Sequence, residues 1–507
     1  MGIRIKSSIT AVNWLYPFII IIFIIISFRL YSYSYYPLLS SDDALNVLMA
    51  HHFDFTTVYC WGQNRGGMLI PYMSQIFINL FGCSALTAVS ISTYILLIIG
   101  FLSVSSLFSK KTVKTGFALA WFFPPMNFID LLRFPIAMGF CVFFTLIWCI
   151  NKMGKTEAKF VSSKNWRPLA LIPLILILSI WVSDLCMISA LLLLGILWVS
   201  KKACRNWATI LYATGCWALC YTVIRLLKMT SHMHMNLHVL NSLSEVWDAF
   251  KLFGTHLYNS LSFSTIDVIT DRTYQSRIPW FSHSYVYLLI IFLILFFTFF
   301  LIKNHAIIKQ NIKNRKWNLW TLFFLINSIA VFFICFLSNW VLKNGVGFWY
   351  FVATYISFSI FILLIIDRYP QAKFIKYLLV MVILYGALSP VLEMKFVYKT
   401  LTPRVELSRK IETLGRSGLI GSFWTSYISA VTNPDQITAT EYDEGWTRNI
   451  KMTEDVFQQP DIYLIRDFWL DAFPDTTVQW NHTLVKEGEP FELDPVEICR
   501  YKIADTK

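Results

Sequence analysis

The chain has 507 residues, of which 56% are hydrophobic and 14% charged, and a formal net charge of +13. A water-soluble domain carries about 25% charged residues, so this composition excludes an ordinary soluble globular protein. Many of the basic residues fall in short connections between apolar runs, which is the positive-inside pattern of a membrane protein and not a nucleic-acid footprint.

Runs approaching the roughly 20 apolar residues that cross a bilayer as a helix recur along the chain. Eleven spans are expected, near 11–30, 84–108, 115–129, 134–151, 168–183, 185–200, 207–226, 284–302, 319–338, 348–366 and 376–392, which makes a polytopic α-helical membrane protein. The first run is long for a signal-peptide core and has no small-residue cleavage site after it, so it reads as an uncleaved membrane helix. With the N-terminus cytoplasmic, the inner connections hold 21 of the 43 Lys and Arg residues. The short outer connections hold few, namely Arg65, Arg133 and Lys343, with Arg225 and Lys228 at the edge of a longer loop.

The first outer loop, 31–83, is long. In it, Ser40 or Ser41 is placed to cap a short helix whose first turn carries Asp42 and Asp43, where the helix dipole favours negative charge. Ala44, Val47, Leu48 and His51 follow at helical spacing and give that helix an apolar face for a membrane surface. The segment 66–82 reads as a second interfacial helix closed by Gly82; counting it as a span would put Lys110, Lys111 and Lys114 outside. Cys60 and Cys83 share this loop and are a candidate disulfide pair.

A second outer loop, 227–283, carries His232, His234, His238, Glu245, Asp248, His256 and Asp267. His234 and His238 share a helix face, but no Cys or Glu partner stands at a diagnostic spacing, so no metal is expected there. From about Glu393 charges become frequent. Short β-like runs appear at Ile437–Glu441, Asp461–Arg466, Thr477–Val485 and Val496–Ile503. The expected division is a transmembrane module over 1–392 and a folded outer α/β domain over 393–507. No Walker motif, dinucleotide-binding glycine pattern or nucleophile elbow is present.

Asp42-Asp43 after the first span, Trp61-Gly62-Gln63-Asn64-Arg65-Gly66-Gly67, Pro71 and Leu80-Phe81-Gly82 before the second together resemble the GT-C membrane glycosyltransferases. The run from Gly418 to Tyr427 is similar to the start of the C-terminal domain in some members. Length, layout and an Ile/Phe/Asn/Lys-rich composition are most similar to the bacteriophage-encoded O-antigen glucosyltransferases that convert bacterial serotype. The chain lacks the Lys-Pro-Pro motif of the aminoarabinose-transferase branch. The resemblance implies an inverting transfer of a hexose, glucose, from a polyprenyl-phosphate donor to lipopolysaccharide O-antigen. It places the chain in the bacterial inner membrane with the C-terminal domain in the periplasm, and it calls for no cofactor.

Such a transfer needs a carboxylate to take the acceptor proton. Asp42 and Asp43 both qualify, against the plainer reading that they cap a helix. The leaving phosphate gains charge and needs cations. Arg65, Arg133 and Lys343 are the candidates, against snorkelling to headgroups or, for Arg133, pairing with Asp130. Lys343 sits in a Gly-containing turn whose N–H groups could face an anion. Asp184 either pairs with a cation or meets sugar hydroxyls. Tyr59, Trp61 and Trp349 either stack on sugar rings or belong to the interfacial aromatic belt. The rivals are an O-antigen polymerase and a polyprenyl-linked glycan flippase. Transport places polar groups at the bilayer midplane, whereas the polar candidates here cluster at one face.

Overall fold

The computed structural model describes residues 8–35, 40–61, 63–153, 161, 166–200, 204–231, 239–261, 264–267, 272–275, 318–368, 409–445, 449–493 and 496–504, with isolated helical residues between 291 and 388. His232, His234 and His238, and most of the expected spans 284–302 and 376–392, lie outside the described residues.

The helices in chain order are α1 (Ser8–Tyr31), α2 (Ser41–His51), α3 (Leu69–Phe81), α4 (Ala85–Ser105), α5 (Lys111–Phe122), α6 (Pro135–Met153), α7 (Trp166–Val182), α8 (Leu185–Ser200), α9 (Trp207–Met229) and α10 (Leu243–Leu261). They continue with α11 (Leu319–Leu337), α12 (Val352–Arg368), α13 (Phe423–Ala430) and α14 (Ile450–Phe457). Among the described residues six helical stretches are long and apolar enough to cross a membrane: Trp14–Tyr31, Ala85–Ser105, Pro135–Met153, Trp207–Met229, Leu319–Leu337 and Phe348–Arg368. The chain is a polytopic membrane protein. Its expected third span is divided: α5 ends at Phe122 and a 3₁₀ helix occupies Met126–Leu132. Pro124 and Pro125 account for the break, since proline lacks the N–H that continues a helix and biases the preceding residue to extended backbone.

The chain forms two compact units, one of Met1–Leu30, Ile95–Arg225 and Asn236–Lys395, the other of Tyr31–Tyr94, Leu226–Met235 and Phe396–Lys507. Residues Tyr31–Tyr94 thus group with the C-terminal sheet.

In the first unit helices meet through small residues, as they must where lipid removes the hydrophobic drive to associate. A Cβ on Gly139 of α6 would lie 2.5 Å from Ser183 Cβ at the end of α7, and one on Gly100 of α4 would lie 3.0 Å from the Trp121 ring of α5. Asp367, near the end of α12, accepts from Ser109 N–H and Oγ, each at 2.8 Å, and from Lys110 N–H at 2.9 Å, which fixes the α4–α5 turn. Within 227–283, where the sequence predicts no helix, α10 forms. Ser242 and Glu245 make its reciprocal capping bonds, at 2.7 Å from Ser242 N–H and 3.4 Å from Glu245 N–H.

The first unit also holds a two-stranded hairpin, β1 (Ser264–Asp267) and β2 (Arg272–Gln275), and the second unit holds a seven-stranded sheet: β3 (Ser417–Gly421), β4 (Ile437–Glu441), β5 (Asp461–Arg466), β6 (Thr476–Gln479), β7 (His482–Lys486), β8 (Phe491–Leu493) and β9 (Val496–Ile503). The order is β4-β3-β5-β9-β7-β6, with β8 on β9. β3, β4 and β5 are parallel, and the remainder is antiparallel. Ile420, Val456, Ile462, Leu464, Leu484, Cys499 and Tyr501 make its core; here water is the solvent, and burying each large apolar side chain stabilises by about 1.5–3 kcal/mol. The expected single strand Thr477–Val485 is instead the hairpin β6–β7, turned by Trp480 and Asn481 at φ 49° and 64°.

Candidate active site

The acidic pair starts α2 as expected, and the two carboxylates are not equivalent. Ser40 Oγ accepts from Asp43 N–H at 3.2 Å, and Asp43 Oδ2 accepts from Ser40 N–H at 3.0 Å, a complete capping box. Asp43 is 4% exposed, while Asp42 is exposed. Consecutive helical positions point about 100° apart, so the residue that faces back to close the cap cannot also face out. The far end of α2 is fixed by Gln75 of α3, whose Nε2 donates to Ala50 O at 2.8 Å. α2 also packs against α13, and His51 Nε2 lies 3.3 Å from Asp435 Oδ1. The neighbouring His52 has its pKa pushed down to about 4, first by burial and then by His51.

The loop after α2 folds back on itself. Tyr59 bridges Gly67, Cys60 N–H donates to Gly66 O at 2.9 Å, and Gly66 takes φ 65°. That left-handed position needs a glycine. The loop holds Arg65 half-buried, with Nε donating to Gln63 Oε1 at 2.9 Å. Tyr59 and Trp61 are each 3% exposed, so both rings are part of the packing here and neither offers an open stacking face. Cys60 and Cys83 are not joined by a disulfide. α3 runs over Leu69–Phe81 and ends on Gly82 in the left-handed conformation, φ 63°, with its N–H returning to Ile78 O at 3.1 Å.

The remaining candidates lie in the first unit. Arg133 follows the 3₁₀ helix, is 3% exposed, and has Nη2 3.5 Å from Asp130 Oδ1. Asp184, partly exposed, occupies the α7–α8 turn, where its carbonyl accepts from Met187 N–H at 3.1 Å. Lys343 is exposed at the end of the short helix Asn339–Lys343. Its charge helps hold Glu245 below the usual carboxylate range, after the hydrogen bonds from Ser242. The turn that follows does not offer its N–H groups to an anion as the sequence suggested. Those of Asn344, Gly345 and Val346 return to Trp340, Leu342 and Val341 carbonyls at 2.9–3.1 Å, because a glycine after a helix is spent closing the helix's own end. Trp349 folds over that turn: a Cβ on Gly347 would lie 2.2 Å from its ring. His256, named in the sequence only as part of a polar loop, fastens the turn with Nε2 2.7 Å from Gly345 O.

No family model matches the sequence, and no curated protein matches it. Among solved structures the chain is similar to ArnT from Cupriavidus metallidurans in the apo state, with a TM-score of 0.50 at 9% identity over 97% of this chain and 98% of that one. It is similar, too, to the oligosaccharyltransferase AglB of Archaeoglobus fulgidus. In complex with an inhibitory peptide and a dolichol-phosphate the TM-score is 0.45 at 10% identity, over 89% of this chain and 69% of that one. For the same enzyme tethered to an acceptor peptide with the NVT sequon it is 0.44 at 11% identity, over 90% and 69%. The ArnT likeness, which spans nearly the whole of both chains, shows the fold: a polytopic membrane architecture with a C-terminal sheet domain.

Proposed function

We propose that the protein is an inverting, polyprenyl-phosphate-sugar-dependent glycosyltransferase. It moves a hexose, glucose, onto lipopolysaccharide O-antigen at the periplasmic face of the bacterial inner membrane. The observation that carries this reading is the pair of unlike aspartates after the first apolar helix of a GT-C fold: Asp43 is committed to the α2 capping box while Asp42 stays exposed. Asp42 is the base that takes the acceptor proton as the bond to the donor phosphate breaks. A helix N-terminus favours negative charge at that position.

Arg65, Arg133 and Lys343 are the cations assigned to the leaving phosphate. Lys343 is the most available of them by exposure, and Arg133 would have to share its charge with Asp130. Asp184 is assigned to sugar hydroxyls. Tyr59 and Trp61 shape the site through packing, as their burial favours, and Trp349, partly exposed, does so through its contact with Gly347. The test is transfer of labelled hexose from polyprenyl-phosphate donors to cell-envelope polysaccharide, by membranes carrying the wild type or Asp42→Asn at equal abundance. Transfer by the wild type that falls at least a hundredfold in the variant is expected. Absence of transfer by the wild type across glucose, galactose and mannose donors would overturn the reading.

A further inference from the structure

The second unit contains an edge that the transfer chemistry above does not use. From β3 the chain passes through α13 to β4 on one side, then through α14 to β5 on the other side of β3. Gly418 and Gly421 lie three positions apart on β3 and so face opposite ways. A Cβ on Gly418 would lie 2.4 Å from Val456 O of α14, and one on Gly421 would lie 3.0 Å from Thr425 Oγ1 of α13. The two helices therefore cover opposite faces, and the gap between β3 and β5 is where the winding direction reverses. In doubly wound sheets ligands bind outside the carboxyl ends of the strands at that point.

The side chains gathered there have one chemical character. Ser422 and Thr425 hydroxyls, just past β3, both donate to Asp467 Oδ2 just past β5, the latter at 2.8 Å. Trp469 N–H donates to Asp467 Oδ1 at 3.3 Å. A carboxylate has about four acceptor sites, and these bonds use three. Past β4, Tyr442 stacks on Trp469 with ring centroids 4.9 Å apart and planes 12° apart, and both rings are partly exposed. Burial first, then Glu441, Glu444 and Asp467, hold the Tyr442 hydroxyl above its ordinary pKa, which places these carboxylates around it. Asp443 and Glu444 are exposed, and Phe468 is 68% exposed. The segments 422–425, 442–445 and 467–471 contain no Lys or Arg. The nearest cation in sequence, Arg466, is paired with Glu497. Among the described residues the carboxylates of this edge are offset only by Arg466, whose charge is shared with Glu497, and an edge of that balance disfavours the phosphates for which such crevices are commonly built.

We propose that this crevice binds a neutral glycan. A sugar ring lies with its C–H face on the Tyr442–Trp469 pair, and its hydroxyls donate to the remaining acceptor site of Asp467 and to Glu444. That this glycan is the acceptor of the transfer reaction rests on the reading in the preceding subsection; that the crevice takes a neutral glycan does not.

The test uses the full-length protein in lipid nanodiscs without donor, with binding followed by saturation-transfer difference NMR. The probes are neutral gluco-, galacto- and rhamno-oligosaccharides, with inorganic phosphate and UDP as anionic contrasts. At least one neutral oligosaccharide is expected to bind, with affinity reduced tenfold or more in Trp469→Ala and in Asp467→Asn. Asp467→Asn is isosteric and keeps acceptors for the Ser422 and Thr425 hydroxyls, and Trp469→Phe, which keeps an aromatic face, retains binding. Binding of the anions in preference to every neutral probe, no neutral probe bound by the wild type, or unchanged affinity in Trp469→Ala and Asp467→Asn would overturn the proposal. A wild type that binds glycan but transfers no sugar would refute the transfer reading and leave this one standing.

Discussion

Asp42 and Asp43 are chemically identical neighbours, and the capping box makes them separable by experiment. Ser40→Ala deletes the acceptor for Asp43 N–H, and Asp43→Ala deletes the acceptor for Ser40 N–H. Loss of such a cap costs about 0.5–2 kcal/mol. Because the two bonds close a single ring, the double variant should cost less than the sum of the singles, with a coupling on the order of 0.5 kcal/mol or more. Asp43→Asn keeps an oxygen acceptor, so it should stay near wild-type stability and transfer. Asp42→Asn removes an exposed charge outside the cap, so its stability should shift by no more than about 0.5 kcal/mol. Its transfer rate should nonetheless fall about 10²–10⁴-fold, the usual contribution of a general base. Thermal unfolding midpoints in detergent and initial rates of sugar transfer, measured on the same preparations, give both quantities. If Asp43→Asn, still folded, loses as much transfer as Asp42→Asn, the assignment of one aspartate to structure and the other to chemistry is wrong.

Other outcomes follow from single contacts. His52 has a folded-state pKa of about 4, below the ordinary 6.5, so the unfolded chain takes up this proton first. Its contribution to stability is complete above pH 6.5 and is lost as pH falls from 6.5 towards 4; His52→Phe should flatten the melting-temperature profile over that window, and an unchanged profile would count against the burial of this ring. Gly139→Ala places a methyl group against Ser183 and should lower stability by about 1–3 kcal/mol, read as a drop in melting temperature, whereas Gly195→Ala inside α8, where an added Cβ meets nothing within 4 Å, should show no such drop. Leu464→Ala, fully buried in central strand β5, should destabilise by about 2–5 kcal/mol, and increased proteolysis within residues 409–504 would report it.

What was legible in the sequence was what a single residue or a short period could encode. Gly82 ends α3 because a glycine after an apolar helical run has one common use. Three β-runs match β4, β5 and β9 residue for residue, since each alternates or fills with β-branched and aromatic residues between turn formers. The hairpin β6–β7 was hidden because its turn is Trp480-Asn481, which lacks the glycine that usually marks such a reversal. The break after α5 was legible in Pro124-Pro125 but was outweighed by apolar composition. The capping signal of α10, Ser242 followed by Glu245, was legible too and was obscured by the histidines around it.

For the candidate site, the sequence located the acidic pair but could not rank its members, because the partner that separates them is a backbone N–H. It could not see that Tyr59 and Trp61 turn inward, since a β-bridge closed by Gly66 decides that. The Asp467–Ser422–Thr425 cluster joins residues more than 40 positions apart through parallel strand pairing, which leaves no local periodicity to read.

The position of β9 has a consequence for biogenesis. This last strand lies between β5 and β7, and it pairs with β8 as well. Until residues 496–503 leave the ribosome, the parallel half of the sheet and the β6–β7 hairpin have no strand to join them. The sheet therefore completes only once β9 has been made, and a stop codon near position 496 would leave the edge of β5 unpaired. Such an edge is a template for pairing with another nascent chain. Folding of this sheet thus waits on residues 496–503.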